Sequence, residues 1–176
     1  MKVTLRPAQN EVAKALIRRR PKSADFTWCR GSGKSFILGF IAYFWADHNG
    51  WSVIIGAPKQ GQTWAIMEWV HFCADRLKTR SQIAYDNRYE LVLRGRGKVI
   101  GLSGQKQANV QGKHGHAVFI DEKQDMDVGT VTESFVPMLA NFDGMLIMSG
   151  VGGDPGCVGE AMGKKAQYRR DYPYQE

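Results

Sequence analysis

One octet limits what this chain can fold into: Trp28-Cys29-Arg30-Gly31-Ser32-Gly33-Lys34-Ser35. A run containing Phe26 and Trp28 precedes it, and a long apolar segment from Phe36 to Trp45 follows. The order is strand, tight loop, helix. Gly31 and Gly33 permit backbone angles and close approach that a side chain would block. Successive N–H groups, with the positive end of the following helix, can then surround an anion. In such a loop Lys34 reaches the β- and γ-phosphates of a nucleotide and the Ser35 hydroxyl ligates Mg²⁺. Trp28 stands where the usual pattern opens with glycine, so the octet reads as a P-loop variant.

A second segment completes the chemistry. His116-Ala117-Val118-Phe119-Ile120-Asp121-Glu122 is an apolar strand ending in two carboxylates. Asp121 can hold the Mg²⁺ shell, while Glu122 can take a proton from an attacking water. Each half has a plain alternative, a Gly-Ser turn with a solvated lysine or an ordinary acidic strand end. Both halves in this order point to an ATPase or GTPase.

At 176 residues the chain fits one domain with a sizeable core. Hydrophobic content of 43% argues against disorder. No apolar run reaches membrane-spanning length, and Met1–Arg20 carries no secretory apolar region. Cys29, Cys73 and Cys157 follow no metal spacing, and their odd number disfavours a disulfide framework, which fits a reducing compartment. The net charge of +7 permits a polyanionic partner. Its clusters, Arg18-Arg19-Arg20, Arg94/Arg96/Lys98 and Lys164-Lys165 with Arg169-Arg170, read equally as solvated patches.

In chain order, a helix is expected from Glu11 to Arg19, with Val12, Ala15 and Leu16 inward. The amide of Gln9 can read an adenine edge, although a surface glutamine at a helix start is the simpler reading. Ala24–Trp28 is the first core strand, Ser35–His48 a helix buried all round, and Trp51–Ile55 the second strand. A helix from Thr63 to Lys78 turns Met67, Val70, Ala74 and Leu77 inward. Tyr89–Leu93 and Lys98–Leu102 pair around the basic tip Arg94-Gly95-Arg96-Gly97, which could contact DNA, a neighbouring subunit or only water. His114 and His116 lack a third ligand nearby, which disfavours metal. After Asp121-Glu122 a helix spans roughly Thr130 to Ala140, and Gly144–Gly150 is a buried strand. Its Ser149 either lies near the γ-phosphate or merely stops the strand. Residues 151–176 carry little secondary-structure signal.

Placed together, these pieces resemble the ATPase domain of the large terminase subunit, the DNA-packaging motor of tailed bacteriophages. The carriers are Leu5–Gln9 as adenine motif, Arg30–Ser35 as an arginine-containing Walker A, Ala57-Pro58 with Gln62, Val118–Glu122 as Walker B with its glutamate, and Ser149-Gly150 as coupling motif. The resemblance implies an α/β fold, a RecA-like (ASCE) P-loop NTPase three-layer sandwich with a mainly parallel sheet. It divides the chain into an ATPase domain over 1–150 and a tail, or the start of a linker subdomain, over 151–176. It implies ATP and Mg²⁺ as cofactors. Nucleotide contacts would come from Gln9, Arg30, Gly31, Ser32, Gly33, Lys34, Ser35 and Ser149, metal ligation from Ser35 and Asp121, and catalysis from Glu122 and Arg30.

The implied work is Mg²⁺-dependent ATP hydrolysis driving double-stranded DNA into a procapsid in the host cytoplasm. The implied partners are a portal protein, a small terminase subunit and further copies in a ring; no membrane is involved. Many relatives carry Arg-Gly before Walker B where this chain has Gln111-Gly112-Lys113, leaving the trans-acting arginine unassigned, with Arg94 or Arg96 as candidates. The family's nuclease carboxylates are absent after the coupling motif, where only Asp154, Glu160, Asp171 and Glu176 occur; this chain alone is expected not to cut DNA. Two rivals stay open. One is a helicase-type DNA translocase, and the other a weakly hydrolysing nucleotide-binding assembly module.

Overall fold

Residues 4–77, 82–104, 113–152 and 157–172 are described by the computed structural model. In chain order the elements are α1 (Pro7–Lys14), extended by a π-helical turn over Ala15–Arg19, β1 (Ser23–Trp28), α2 (Lys34–His48), β2 (Ser52–Ala57) and α3 (Gln60–Arg76). Then come β3 (Ile83–Asn87), β4 (Glu90–Leu93), β5 (Lys98–Ser103), β6 (Ala117–Ile120), α4 (Val128–Thr130), β7 (Met145–Gly150), α5 (Val158–Ala161) and β8 (Tyr168–Tyr172). The strands form one sheet in the order β3-β4-β5-β2-β6-β7-β1-β8. The pairings β5-β2-β6-β7-β1-β8 are parallel, and β4 and β3 add an antiparallel hairpin at one edge.

The inner strands are buried on both faces, and successive residues alternate between two cores. Phe26, Val53, Ile55, Phe119 and Ile147 face one core, which α1, α2 and α3 cover. Ile54, Ile100, Val118, Ile120, Leu146 and Met148 face the other, closed by Val131, Phe135, Met138, Leu139 and Val158. The result is the expected three-layer sandwich. Helix α2 is buried nearly all round because it lies between sheet and α3: Trp45 stacks on Phe119, with ring centroids 5.6 Å apart. Gly39 makes this possible, since a Cβ there would lie 2.6 Å from that of Trp69 on α3.

Several expectations need correction. The helix predicted to start at Glu11 begins at Pro7, so Gln9 lies inside it. Leu77 does not face the core but is 58% exposed, because α3 ends at Arg76 and Leu77 turns out of the helix as its C-cap; Lys78 lies outside the described residues. The helix expected over Thr130–Ala140 is a short α-turn, a π-helical turn over Val131–Phe135 and a 3₁₀ run over Val136–Phe142. Pro137, at the start of that last run, lacks the N–H an α-helix would continue through. In the segment after residue 150, Tyr168–Tyr172 joins the main sheet beside β1.

Candidate active site

The carboxyl ends of three adjacent strands, β6, β7 and β1, converge on one crevice, where a parallel sheet presents loops and helix starts to a ligand. From β1 the chain enters the glycine loop, in which Gly31 and Gly33 have φ of 74° and 79°. These left-handed angles belong to glycine, and they turn the chain into α2 at Lys34. Arg30 through Ser35 line a cleft of about 590 Å³ together with Gln62, Trp69, Glu122, Gln124 and Val151. Both halves read from the sequence therefore meet in one place.

Lys34 lies between the two carboxylates of the β6 end. Its Nζ is 2.5 Å from Glu122 Oε1 and 2.8 Å from Asp121 Oδ1. Burial alone would lower the lysine's pKa, but Asp121 and then Glu122 reverse this and hold it above its ordinary value. Burial would raise Glu122; the hydrogen bonds from Lys34 and Gln124, with the field of Arg30, bring it below the usual glutamate range. Burial pushes the Asp121 carboxyl up, against the pull of Lys34. These directions favour an ionised Glu122 at the cleft and a protonated Lys34, whose ion-pair partners among the described residues are Asp121 and Glu122.

Gln124 was missed by sequence reading. Its Nε2 donates to Glu122 Oε2 at 2.5 Å, and its Oε1 accepts from Val151 N–H at 3.2 Å. One side chain thus links the carboxylate to the end of β7. Ser149, paired in register with Phe26, is fully buried, and its hydroxyl has no partner among the described residues. Arg30 is exposed at the lip of the cleft, where its charge reaches Glu122.

Gln9, expected at the nucleotide, is bonded here within the chain. Its Oε1 accepts from Arg6 N–H at 3.0 Å, and its Nε2 donates to the Ser32 and Gly33 carbonyls at 3.1 and 3.3 Å. The Gln9 amide thus bonds the loop backbone, and a Cβ on Gly33 would collide with it. Arg6 adds a bond from Nη1 to the Gly31 carbonyl at 3.2 Å. Gln9 and Arg6 therefore brace the glycine loop in this conformation.

The basic tip lies elsewhere. Gly97 packs against the Trp51 backbone at the amino end of β2, whereas the crevice lies at the carboxyl ends of the strands. Arg96 is paired with Asp47, and Arg94 Nε donates to the Ile83 carbonyl at 3.2 Å. Neither arginine reaches its own chain's cleft; Gln111 and Gly112 lie outside the described residues. His116 is a packing residue: its ring stacks on Trp51 and on Phe142, and Nδ1 accepts from Ser52 N–H at 3.1 Å. Among the described residues no group of three or more His, Cys, Asp or Glu could hold a metal, and no helix is long and apolar enough to cross a membrane.

Comparison with known proteins bears on the same segments. The family model for the helicase domain of RNA cytidine acetyltransferase NAT10/TcmA matches residues 26–156, from within β1 past the end of β7. The chain belongs to this helicase-domain family. No curated protein matches the sequence. Among solved structures, the ATPase domain of the large terminase of Thermus phage P74-26 has a TM-score of 0.71 at 20% identity, over 88% of this chain and 67% of that one. The large terminase of a thermophilic bacteriophage, in complex with ADP, gives 0.70 at 13% identity over 94% of this chain and 44% of that one. The UvsW helicase of bacteriophage T4 gives 0.60 at 13% identity, over 97% and 61%. The chain thus spans about two thirds of the Thermus phage ATPase domain and less than half of the ADP-bound terminase. The fold of this helicase-domain chain is that of the terminase and helicase ATPases, as the motifs implied.

Proposed function

We propose that this chain is the Mg²⁺-dependent ATPase of a nucleic-acid motor. The observation that carries the reading is Lys34, at the start of α2, seated within 2.8 Å of both carboxylates at the end of β6. The strand–loop–helix crevice brings these residues, distant in sequence, to one cation. The donors available to a metal, the Ser35 hydroxyl and the Asp121 carboxylate, are hard oxygens and fit Mg²⁺ with phosphates and water completing the shell. When bound, Mg²⁺ would neutralise charge between the β- and γ-phosphates.

The residues then divide the work. Lys34 leaves the carboxylates for the phosphate oxygens, which the loop N–H groups and the α2 terminus already favour. Release of Lys34 frees Glu122 Oε1 to accept a proton from the attacking water, while Gln124 keeps Oε2 in place. Arg30, at the lip, supplies positive charge where negative charge grows. Ser149, with its unpaired hydroxyl between the two halves, answers to the γ-phosphate.

As to the work performed, we favour translocation of double-stranded DNA into a procapsid, with portal, small subunit and sister copies as partners. The two terminases match this chain more closely in fold than the helicase does. The second reading, a helicase-type translocase, is favoured by the family to which the chain belongs. The test is ATP turnover by the purified protein with and without duplex DNA, run beside strand separation on a forked duplex. Turnover lost in Lys34→Ala and raised by plain duplex, with no strand separation, supports packaging. Unwinding of the fork supports the helicase reading, and turnover unaffected by Lys34→Ala overturns both.

A further inference from the structure

Directly after Glu122 the chain does something the ATPase chemistry does not require. Lys123 is buried, and its Nζ is ion-paired with Asp25 of β1, which is fully buried, and lies 3.1 Å from Thr27 Oγ1. Asp25 also has Arg169 Nε at 3.6 Å from its second oxygen. The lysine stem passes the end of β7 and lies beside α5. Three glycines make room for the pair, Gly150 of β7, Gly159 of α5 and Gly163 at the start of the 3₁₀ turn Gly163–Lys165. A Cβ on Gly150 would meet Lys123 Cγ at 2.9 Å, one on Gly159 would meet Cε at 3.1 Å, and one on Gly163 would meet Asp25 Oδ2 at 2.5 Å.

The strand order gives this pair its meaning. β6 carries the carboxylates and β1 the glycine loop, and β7 separates them. Lys123 spans that gap with one side chain. Glu122 meanwhile adopts φ 49° and ψ 47°, a left-handed conformation that a residue with a Cβ holds only when its surroundings enforce it. Stability is a poor reason for burying such a pair, because well-packed apolar residues of similar volume commonly serve as well or better. Fixing the residue next door is a better one.

We propose that Lys123 and Asp25 are positioning residues for Glu122: their buried pair ties the β6 end to β1 and holds the carboxylate toward the phosphate loop. The inference rests on the reading of Glu122 as the base in ATP hydrolysis.

The test replaces the pair by apolar residues of similar size, Asp25→Leu with Lys123→Met, so that no charge is left buried alone. Parent, double variant and Glu122→Gln are compared in single-turnover hydrolysis of Mg·ATP, Mg·ATP binding, thermal melting and amide exchange over residues 118–126. The double variant is expected to melt as a folded protein and to bind Mg·ATP within a few-fold of the parent. It should hydrolyse roughly 10–100-fold more slowly, the cost of a misplaced group, and exchange its 121–125 amides faster. A folded double variant with the parent's rate overturns the tether and leaves the ATPase reading standing. Should the parent show no turnover that Glu122→Gln removes, that reading fails. Exchange then decides alone: faster exchange supports the tether, and unchanged exchange overturns it. If the double variant does not fold, Thr27→Val carries the test, since it removes only the 3.1 Å bond to Lys123 Nζ. A few-fold fall in turnover at unchanged KM and melting temperature supports the tether; parent turnover overturns it.

Discussion

Two lysine–carboxylate clusters flank the end of β6, and they differ in accessibility, mainly at Glu122, since Asp121 is itself buried. Lys34 meets Asp121 and Glu122 at the cleft, where the lysine side chain is 11% exposed and that of Glu122 25%. Lys123 meets Asp25 with side chains 4% and 0% exposed. In the loop before the first cluster, a Cβ on Gly31 would touch nothing within 4 Å, and one on Gly33 would meet Gln9 rather than the cluster. Around the second, Gly150, Gly159 and Gly163 are packed against the pair. The same chemistry can thus exchange partners in one place and is fixed in the other. A lysine a ligand can reach is free to trade carboxylate for phosphate, whereas a sealed lysine keeps its partner because breaking the pair strands a charge in the core.

The largest expected effect breaks the open cluster. Glu122→Gln keeps the shape of the side chain but cannot accept a proton, so hydrolysis should fall on the order of 10²–10⁴-fold. Affinity for Mg·ATP should stay near that of the parent, because the phosphate contacts remain. Lys34→Ala should lose binding as well. Single-turnover rates and equilibrium binding at high protein concentration separate the two variants, and a Glu122→Gln variant with the parent's rate would remove the base from the mechanism.

Breaking the sealed cluster should show in stability before activity. Lys123→Ala leaves Asp25 buried with only Arg169 near it, at 3.6 Å. The expected loss is about 3–5 kcal/mol in chemical denaturation. A loss under about 1 kcal/mol would mean that water reaches the pair, and the contrast between the clusters would dissolve. Gly163→Ala tests the packing alone. The added methyl meets the Asp25 carboxylate, and overpacking of this kind costs about 1–3 kcal/mol.

Much of the open cluster was legible in the sequence, and almost none of the sealed one. Glycine spacing, the apolar strand before Asp121 and the order of the two segments are local signals. Lys123 reads as one more surface lysine after an acidic pair. The overlooked signal was Asp25: a carboxylate inside the otherwise buried strand Ser-Ala-Asp-Phe-Thr-Trp demands a cation. The strands β3 and β8 were missed for a related reason. Ile83-Ala84-Tyr85-Asp86-Asn87 and Tyr168-Arg169-Arg170-Asp171-Tyr172 are edge strands without an apolar run, specified by pairing with their neighbours rather than by their own composition. The bonds from Gln9 to the glycine loop were not legible, because the loop carbonyls become its neighbours only after folding.

The smallest effect sharpens the comparison through pH. In the folded chain, burial acts to raise the Glu122 pKa but is outweighed by the bonds from Lys34 and Gln124, so the carboxyl sits below its ordinary 4.5. The unfolded chain therefore takes up this proton first as pH falls. The stabilisation from Glu122 is fully present above 4.5 and disappears as pH drops through the lowered folded value. Lys34 has the opposite sign: with its pKa raised, its share is present below 10.5 and fades only as pH rises through the folded value. Acid therefore titrates Glu122, and Asp121 with its raised carboxyl in parent and variant alike, while Lys34 keeps its proton. Glu122→Gln deletes the acid-sensitive share, so the stability gap between parent and variant should be widest near neutral pH and should narrow steadily below 4.5. Denaturant titrations of both proteins from neutral pH to about pH 3 measure the gap directly. A gap that stays constant across that range would mean that Lys34 does not hold Glu122 in the nucleotide-free protein, and that the lysine must be recruited to the cleft rather than released within it.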